Sequence, residues 1–358
     1  MILTMPTTRF LLGAATALVL LASPARAWES AGHRIVTQVA IDSLPGDFPA
    51  FVRDPAHLKR LLYVAGLPDR WSHAPDLPLK HVNWPDHYLD VEQLPMAGLD
   101  PRQLPSFRND FIVEFAAARA KHPEQFPPAK PGTDPEHSRG WPGFLPWSAT
   151  ESFYQLKTAF SALKVFRELG TPEEIANGEW DVVFLMGVLS HYIGDLSQPL
   201  HTTNHHDGWV GPNPHGYTTV PGFHTWIDSG LIAKAQLTYD SVRSRVQPAT
   251  PVSLALRPDG RDPVFAETME FLLAQNQLVE PVYQLEAASK LGHGNYPVSP
   301  EGQEFILGQL TKGGQYLGAL YLSAWMSAPP ETYLRSVLLK RRAAEAASAP
   351  APAPAKAP

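Results

Sequence analysis

The residues His191-Tyr-Ile-Gly-Asp195-Leu-Ser-Gln-Pro-Leu-His201 decide how the rest of this chain is interpreted. They close an apolar run from Trp180 to Leu196 that has helical length and lacks internal proline, so His191 and Asp195 should share one helix face. Pro199 should end the helix and place His201 on the following turn. An unpartnered carboxylate among apolar residues is costly, and a metal ion can serve as its partner.

A second pair with the same four-residue spacing follows in Phe223-His224-Thr-Trp-Ile-Asp228, on what should be the next helix. With the flanking His201, the two pairs offer imidazole nitrogens and carboxylate oxygens suited to zinc. A single His-x-x-x-Asp pair is usually an ordinary side-chain contact, whereas two neighbouring pairs favour a metal site. The chain has no cysteine, which restricts metal ligands to His, Asp, Glu and backbone groups.

The first 27 residues read as a secretory signal peptide. Arg9 precedes an apolar run, and Ala25-Arg26-Ala27 is a small-residue cleavage site. The run is too short for a stable membrane span, so we expect a periplasmic or secreted protein without membrane insertion. Removing Arg9 and Arg26 moves the formal charge from −6 to −8. Attraction to phosphate must therefore come from a local site rather than from the protein as a whole.

Cleavage would make Trp28 the first residue of the mature chain, five positions before His33. A freed α-amino group and its own carbonyl can chelate a metal, because the amine has a pKa near neutrality. His33 lies on an amphipathic segment that predicts a helix ending near Pro45.

The remaining pattern predicts an all-α fold, a single mostly helical domain with long Pro/Gly-rich loops. Further helices are expected at about residues 54–65, 149–169, 262–290 and 300–326. Ser148 should cap the 149–169 helix, Gly170 should end it, and Pro281 should kink the 262–290 helix. Residues 123–146 and 207–220 are loops, the first being either an ordered loop over a cleft or an insertion.

The domain should span residues 28–326, followed by a C-terminal extension over 327–340. Residues 341–358 contain Ala-Pro repeats and basic residues with little to bury, so we expect a disordered tail. We expect the protein to be a monomer.

In this order the motifs resemble those of the zinc-dependent phospholipases C and the single-strand nucleases of the S-one/P-one type. They are an N-terminal Trp-x4-His, a loop aspartate, His-Tyr-x-Asp, His-x-x-x-Asp-x5-His and a final His-x-x-x-Asp, running from Trp28 to about Met326. Each fragment is weakly specific, but their order together is a strong signal.

The resemblance implies three zinc ions. The first would be held by Asp69, His87, His191 and Asp195. The second would be held by the α-amino nitrogen and carbonyl oxygen of Trp28, by His33, and by Asp195 as a bridge to the first. The third would be held by His201, His224 and Asp228. Open coordination positions in such a set would suit catalysis.

By the same resemblance, the protein should hydrolyse phosphoester bonds of single-stranded DNA or RNA as an endonuclease, with 3′-nucleotidase activity as an addition. Asp69 and Asp195 would be the catalytic carboxylates, holding zinc ions with an attacking hydroxide between them. Two alternatives stay open: a phospholipase C acting on phospholipid headgroups, and a non-catalytic protein in which zinc only holds loops together.

Two features favour the nuclease branch. The last pair ends in Asp228, where the phospholipases tend to have Glu. Tyr88 and Asp90 match an aromatic that stacks on a base and a carboxylate that hydrogen-bonds it. Alternatively, Tyr88 packs in the core and Asp90 caps a turn.

One stretch departs from the nuclease pattern. Residues 204–216 replace the usual Asp-x-Gly-Gly-Asn, which leaves the substrate cleft less certain than the metals. Trp209 or Tyr217 could contact a base or a lipid glycerol there. Five of the histidines outside the motifs are expected to be surface residues rather than extra ligands: His73, His81, His205, His206 and His215.

Overall fold

Every regular element of the computed structural model, which describes residues 30–348, is helical except for one isolated bridge between Leu291 and Val298. The prediction of an all-α fold is confirmed. The helices are α1 (Ser30–Ser43), α2 (Pro55–Val64), α3 (Leu67–Ser72), α4 (Leu77–Asn83), α5 (Gln93–Met96), α6 (Arg108–Arg119), α7 (Leu145–Leu169), α8 (Pro172–Ser197), α9 (Phe223–Thr225), α10 (Leu231–Lys234), α11 (Pro263–Asn276), α12 (Val279–Ala287), α13 (Pro300–Ser327) and α14 (Thr332–Ser348).

Shorter helical turns complete the fold. Five are 3-10 turns: Ala50–Arg53, Trp84–His87, Pro199–Thr202, Tyr239–Ser241 and Arg243–Arg245. Trp226–Gly230 is a π-helical turn between α9 and α10.

Helix α8 is the centre of the molecule and packs against α1, α2, α7 and α13. It begins at Thr171, whose hydroxyl accepts from the Glu174 amide while the Glu174 carboxylate accepts from the Thr171 amide. This reciprocal capping satisfies amides that have no partner within the helix. The C-terminal half of α8 is buried throughout, and Pro199 follows it in a 3-10 turn, as predicted. The helix therefore carries its polar residues into the protein interior.

Helix α1 is held close to α13 and α8. An added Cβ at Gly314 of α13 would lie 2.4 Å from the Val39 side chain of α1, so only glycine permits this approach. On the other side, the buried Thr37 and Ser190 hydroxyls lie 2.5 Å apart and join α1 to α8. Thr37 also donates to the His33 carbonyl at 2.6 Å, so Ser190 must be the donor to Thr37. These contacts fix the segment that carries His33.

Two predicted helices have different boundaries. Helix α7 starts at Leu145, and Ser148 lies inside it, donating to the Phe144 carbonyl at 3.0 Å rather than capping the helix. Pro146 explains the earlier start, because proline is tolerated in a first turn, where an amide has no partner. The helix ends at Gly170, as predicted.

The expected kink at Pro281 is a break. Helix α11 ends at Asn276 and α12 begins at Val279, so Pro281 lies in the first turn of a new helix. A proline inside a continuous helix would clash with the carbonyl four residues earlier. Interruption before the proline removes that clash.

The prediction of disorder from Arg341 is wrong for residues 341–348, which belong to α14. The Arg341 guanidinium donates to both carboxylate oxygens of Glu174, at 2.6 and 2.8 Å. Leu338 packs on Val165 and Leu169 of α7. The sequence pattern did not predict this helix, because only one narrow face of it is buried. Residues 349–358, like residues 1–29, lie outside the described part of the chain.

The two predicted loops contain no helix between residues 120 and 144 or between 203 and 222. Within residues 30–348, no helix combines the length and the apolar character needed to cross a membrane.

Candidate metal centre

The two carboxylates and two histidines predicted as a first ligand set meet beside α8. His191 and Asp195 lie one turn apart on its buried face, with His191 Nε2 3.3 Å from Asp195 Oδ2. Asp69 approaches from α3, with Oδ1 3.9 Å from His191 Nε2 and 3.8 Å from His87 Nε2. His87 ends the 3-10 turn that follows α4. The predicted set is therefore brought together.

His33 joins the same group from α1. Its Nε2 lies 3.4 Å from Asp195 Oδ1, and its ring stacks on that of His191 with centroids 4.2 Å apart. Asp195 thus presents one oxygen to each histidine. Gly194 makes room for this arrangement, since a Cβ there would lie 2.5 Å from His33 Nδ1.

The predicted third set also assembles. His224 and Asp228 lie at the junction of α9 and the π-helical turn, with His224 Nε2 2.8 Å from Asp228 Oδ2. His201 comes from the 3-10 turn after α8, with Nε2 3.0 Å from His224 Nε2 and 4.0 Å from Asp228 Oδ2. π-helical turns occur frequently at functional sites, because they reorient side chains within a helix.

Three imidazoles are held by backbone carbonyls at Nδ1. His87 contacts the Asn83 oxygen at 2.7 Å, His191 the Ala65 oxygen at 2.8 Å, and His201 the His87 oxygen at 2.6 Å. A carbonyl oxygen can only accept, so each Nδ1 carries a hydrogen. In a neutral ring the lone pair is then on Nε2, which faces the centre. This tautomer is the one that metal-binding histidines adopt.

The pKa shifts favour the neutral forms of His87, His191 and His201, but not of His224. Burial lowers the pKa of His87 and His191, and His191 lowers that of His87 further. Burial, with His224, lowers the pKa of His201 to about 3. Burial lowers the pKa of His224 too, but the Asp228, Asp207 and Asp195 carboxylates together outweigh it and the net shift is upward. Burial and the nearby Asp228 raise the pKa of Asp195 well above its usual range.

The donor set fits metal ions. His87 Nε2, His191 Nε2 and both oxygens of Asp195 are buried and make no hydrogen bond within the described part of the chain. At 3.3 Å, the His191 lone pair and an Asp195 oxygen repel each other unless a positive charge lies between them. Among residues 30–348, three groups have all their ligand atoms within 4.8 Å: His33, Asp69 and His191; His87, His191 and Asp195; and His201, His224 and Asp228. Nitrogen and oxygen donors at these separations suit zinc.

A cleft of about 580 Å³ opens onto these groups. Tyr88, which is partly buried, and Asp90 lie on its wall. The Asp90 carboxylate accepts from the Gln93 side chain at 2.7 Å. Burial, together with Glu92, raises the pKa of Asp90 to about 7. Contact of these residues with a base stays a prediction.

Several residues at the cleft were missed in the sequence. Arg139 and Trp141 belong to the loop between α6 and α7, which is therefore an ordered loop over a cleft. His73, which is partly buried, and His206, which is exposed as expected, also line the cleft. The residue types did not indicate that these positions line the cleft, because only the tertiary fold brings them to it.

Two supporting residues hold the third ligand set. Gln198 donates to Asp228 Oδ1 at 2.7 Å and leaves the other oxygen for the centre. Asp207 accepts from the amides of Gly222 and His224, at 2.7 and 3.3 Å. Both residues orient side chains of the predicted ligand set without belonging to it.

Trp209 and Tyr217 do not line the cleft. The Trp209 ring stacks on His205 and contacts Tyr217 and Tyr283, so the two predicted substrate contacts pack within the molecule instead. Packing among neighbouring rings removes apolar surface of these two side chains from water. His81 and His215 also lie apart from the ligand groups, hydrogen-bonded to the Glu136 carbonyl and close to Glu280, respectively.

A larger recess of about 900 Å³, lined by residues of α7 and α8, contains no histidine. Trp28, the remaining predicted ligand, lies outside the described residues. No protein-family model matches the chain, and no curated protein matches it.

Proposed function

We propose that this chain is a zinc-dependent phosphodiesterase that hydrolyses single-stranded DNA or RNA. The observation that carries the proposal is Asp195, whose two buried oxygens face the Nε2 atoms of His33 and His191 at 3.4 and 3.3 Å. A carboxylate shared in this way suits two neighbouring metal ions, whereas a structural zinc site rarely needs a shared ligand.

The charge of the centre supports an anionic substrate. Three carboxylates take part in the ligand groups, Asp69, Asp195 and Asp228. Zinc ions bound there would offset the negative charge of a phosphoester and lower the pKa of a water molecule. Asp69 and Asp195 are the proposed catalytic carboxylates and would bind the zinc ions. Backbone carbonyl oxygens fix the orientation of the imidazole rings.

The cleft wall supplies groups for a nucleotide. In this proposal the Tyr88 ring on the cleft wall would stack on a base, and Asp90 would accept or donate a hydrogen bond at its edge, because its pKa is raised to about 7. Arg139 adds a cation on the same wall, suited to a phosphate. These residues bind and orient the substrate, leaving charge stabilisation to the metal groups.

One observation favours phospholipid headgroups as a second candidate substrate. Helix α4 has no buried residue, and Leu77 and Val82 are 45% and 56% exposed. Trp84, which follows α4, lines the cleft. An exposed apolar segment at the mouth of a site can contact a lipid surface.

We infer that the protein is exported, on the basis of the signal-like residues 1–27. Edman sequencing of protein purified from the periplasm or medium should begin at Trp28. A mature chain that starts elsewhere would remove the proposed amino-terminal ligand.

The function is tested by incubating mature protein with single-stranded DNA, RNA and phosphatidylcholine vesicles, with and without chelator. We expect chelator-sensitive cleavage of nucleic acid, restored by zinc. Asp195→Asn should abolish it, and Asp181→Asn, an exposed change on the same helix, should not. Headgroup release from the vesicles instead would establish the second candidate. Zinc-loaded protein inert on all three substrates would support a purely structural role for the metal.

A further inference from the structure

Four cationic residues surround an exposed aromatic ring beside the metal cleft. Arg34 lies on α1, Lys59 and Arg60 on α2, and Arg70 on α3, and all four are exposed. The Tyr63 side chain is 50% exposed, with the Arg70 and Arg60 guanidinium carbons 4.3 and 5.3 Å from its ring centroid. We call these five residues the Tyr63 surface.

None of these four cations has an ion-pair partner among the described residues 30–348. In that part of the chain, the arginines that form ion pairs lie elsewhere, for example Arg108 with Asp86 and Arg245 with Glu304. The whole chain carries a formal charge of −6. A local cluster of unpaired cations on an acidic protein attracts anions to one place rather than to the whole surface.

The Tyr63 surface is continuous with the metal cleft. Arg34, Lys59, Tyr63 and Arg70 line a recess of about 260 Å³, which also contains Asp69 and His73. The same two residues line the metal cleft. A ligand that occupies both recesses would therefore pass over Asp69 and His73.

A half-exposed tyrosine with two guanidinium groups over its ring and two further cations nearby matches single-stranded nucleic acid. Bases stack on exposed aromatic rings, while lysine and arginine contact the phosphates. We propose that the Tyr63 surface binds nucleotides of a single strand that lie beyond the phosphate held in the metal cleft. This inference rests on the proposed nuclease function and makes a polymer, rather than a mononucleotide, the preferred substrate.

Binding of a cleavage-resistant strand tests the inference. The probe is a fluorescein-labelled 12-nucleotide phosphorothioate oligothymidylate, added to zinc-loaded protein and followed by fluorescence anisotropy at several salt concentrations. Lys59→Gln/Arg60→Gln should weaken binding about tenfold and reduce the slope of log K against log salt by about 1.4. Tyr63→Ala should weaken binding about tenfold through lost stacking, without a change in that slope.

The matched control is Arg102→Gln/Lys121→Gln, which removes the same charge from exposed positions that do not line the cleft. Unaltered binding by the control, with weaker binding by both Tyr63-surface variants, supports the proposal. Variants that bind the probe as tightly as the wild type overturn it.

Two further measurements separate this inference from the nuclease function. If wild-type protein cleaves oligonucleotides and the variants bind them normally, the Tyr63 surface is refuted while the function stands. If the surface binds the probe but unmodified strands are not cleaved, the function fails and the surface stands. Variants that lose binding to phosphatidylserine vesicles but keep their affinity for the probe would assign the surface to a membrane and overturn the proposal.

Discussion

The imidazole rings of His33 and His191 stack with centroids 4.2 Å apart although they come from different helices, and each presents Nε2 to a different oxygen of Asp195. Two positively charged rings would repel each other at this separation. The arrangement is stable when both rings are neutral and positive charge lies between each ring and the carboxylate. The histidine stack therefore makes Asp195 the position where loss of metal should matter most.

Asp195→Asn should have opposite effects on chelator-treated and zinc-loaded protein. Without zinc, the raised pKa of Asp195 makes the folded state bind a proton more tightly than the unfolded state. Its contribution to stability is therefore present at low pH and lost as pH rises above the usual value of 3.8. Asparagine removes this loss, so Tm of chelated protein at pH 7 should rise relative to wild type.

With zinc, the same substitution should lower Tm and remove two zinc ions from the protein rather than one. Differential scanning fluorimetry and elemental analysis measure both effects, with Asp181→Asn as the control. Loss of a single ion would argue against Asp195 as a bridge, and a lower Tm for the chelated variant would contradict the pKa argument.

Gln198→Glu should weaken the third zinc site alone. The glutamate can still accept from the Leu200 amide, as the Gln198 oxygen does at 2.6 Å, but it cannot donate to Asp228. We expect zinc affinity at this site to fall by about 10- to 100-fold. Competition titration with a chromogenic chelator measures it, and simultaneous weakening of all three sites would show that Gln198 supports the fold rather than one ligand set.

One extra residue before Trp28 should reduce zinc content by about one ion and lower activity sharply. The extension converts the free α-amino group into an amide, which no longer offers a nitrogen lone pair to a metal. A chain with normal zinc content and activity would exclude the amino terminus as a ligand. Trp28→Ala is the control, since it keeps the amine and the carbonyl while removing the ring.

Tyr88→Ala should raise KM for oligonucleotides by about tenfold, whereas Tyr88→Phe should leave it near the wild-type value. A base stacks on either aromatic ring, and only the alanine loses that contact. Steady-state kinetics on oligothymidylate provide the measurement. Equal KM values for the alanine and phenylalanine variants would show that Tyr88 does not stack on a base.

Helix α14 should loosen in acid. Hydrogen bonds from Arg341, and then from the Thr171 amide, lower the pKa of Glu174 to about 2. The contribution of this pair to stability is therefore present above the usual pKa of 4.5 and is lost as pH falls toward 2. Glu174→Gln should show the same loosening at pH 7, seen as hydrogen exchange in α14 faster by up to about fivefold. Glu345→Gln is the control, because Glu345 lies 3.9 Å from Arg341 and is 67% exposed.

Local spacing was sufficient to predict much of the centre. The four-residue separation places His191 and Asp195 on one helix face whatever the rest of the chain does. Pro199 ends α8 for an equally local reason, the missing amide. His224 and Asp228 were expected on a helix, and the π-helical turn between them could not be foreseen from their spacing.

Long-range packing was not readable from the chain. Gln198 contacts Asp228, and Asp207 holds the His224 amide, only because loops fold back across the cleft. Trp209 and Tyr217 looked like substrate contacts but pack against Tyr283, which is distant in sequence. Helix α14 was missed because its contacts with Glu174 and Leu169 also depend on the tertiary fold.

Residue 87 belongs to both ends of the centre, since its ring faces Asp69 and its carbonyl oxygen holds His201. A rotation of that peptide unit would move both the ring beside Asp69 and the carbonyl oxygen that holds the His201 imidazole. Zinc binding at one end of the centre should therefore change the zinc affinity at the other end, and zinc should bind cooperatively. Binding isotherms that independent sites describe fully would show that the shared peptide is too rigid to transmit this change.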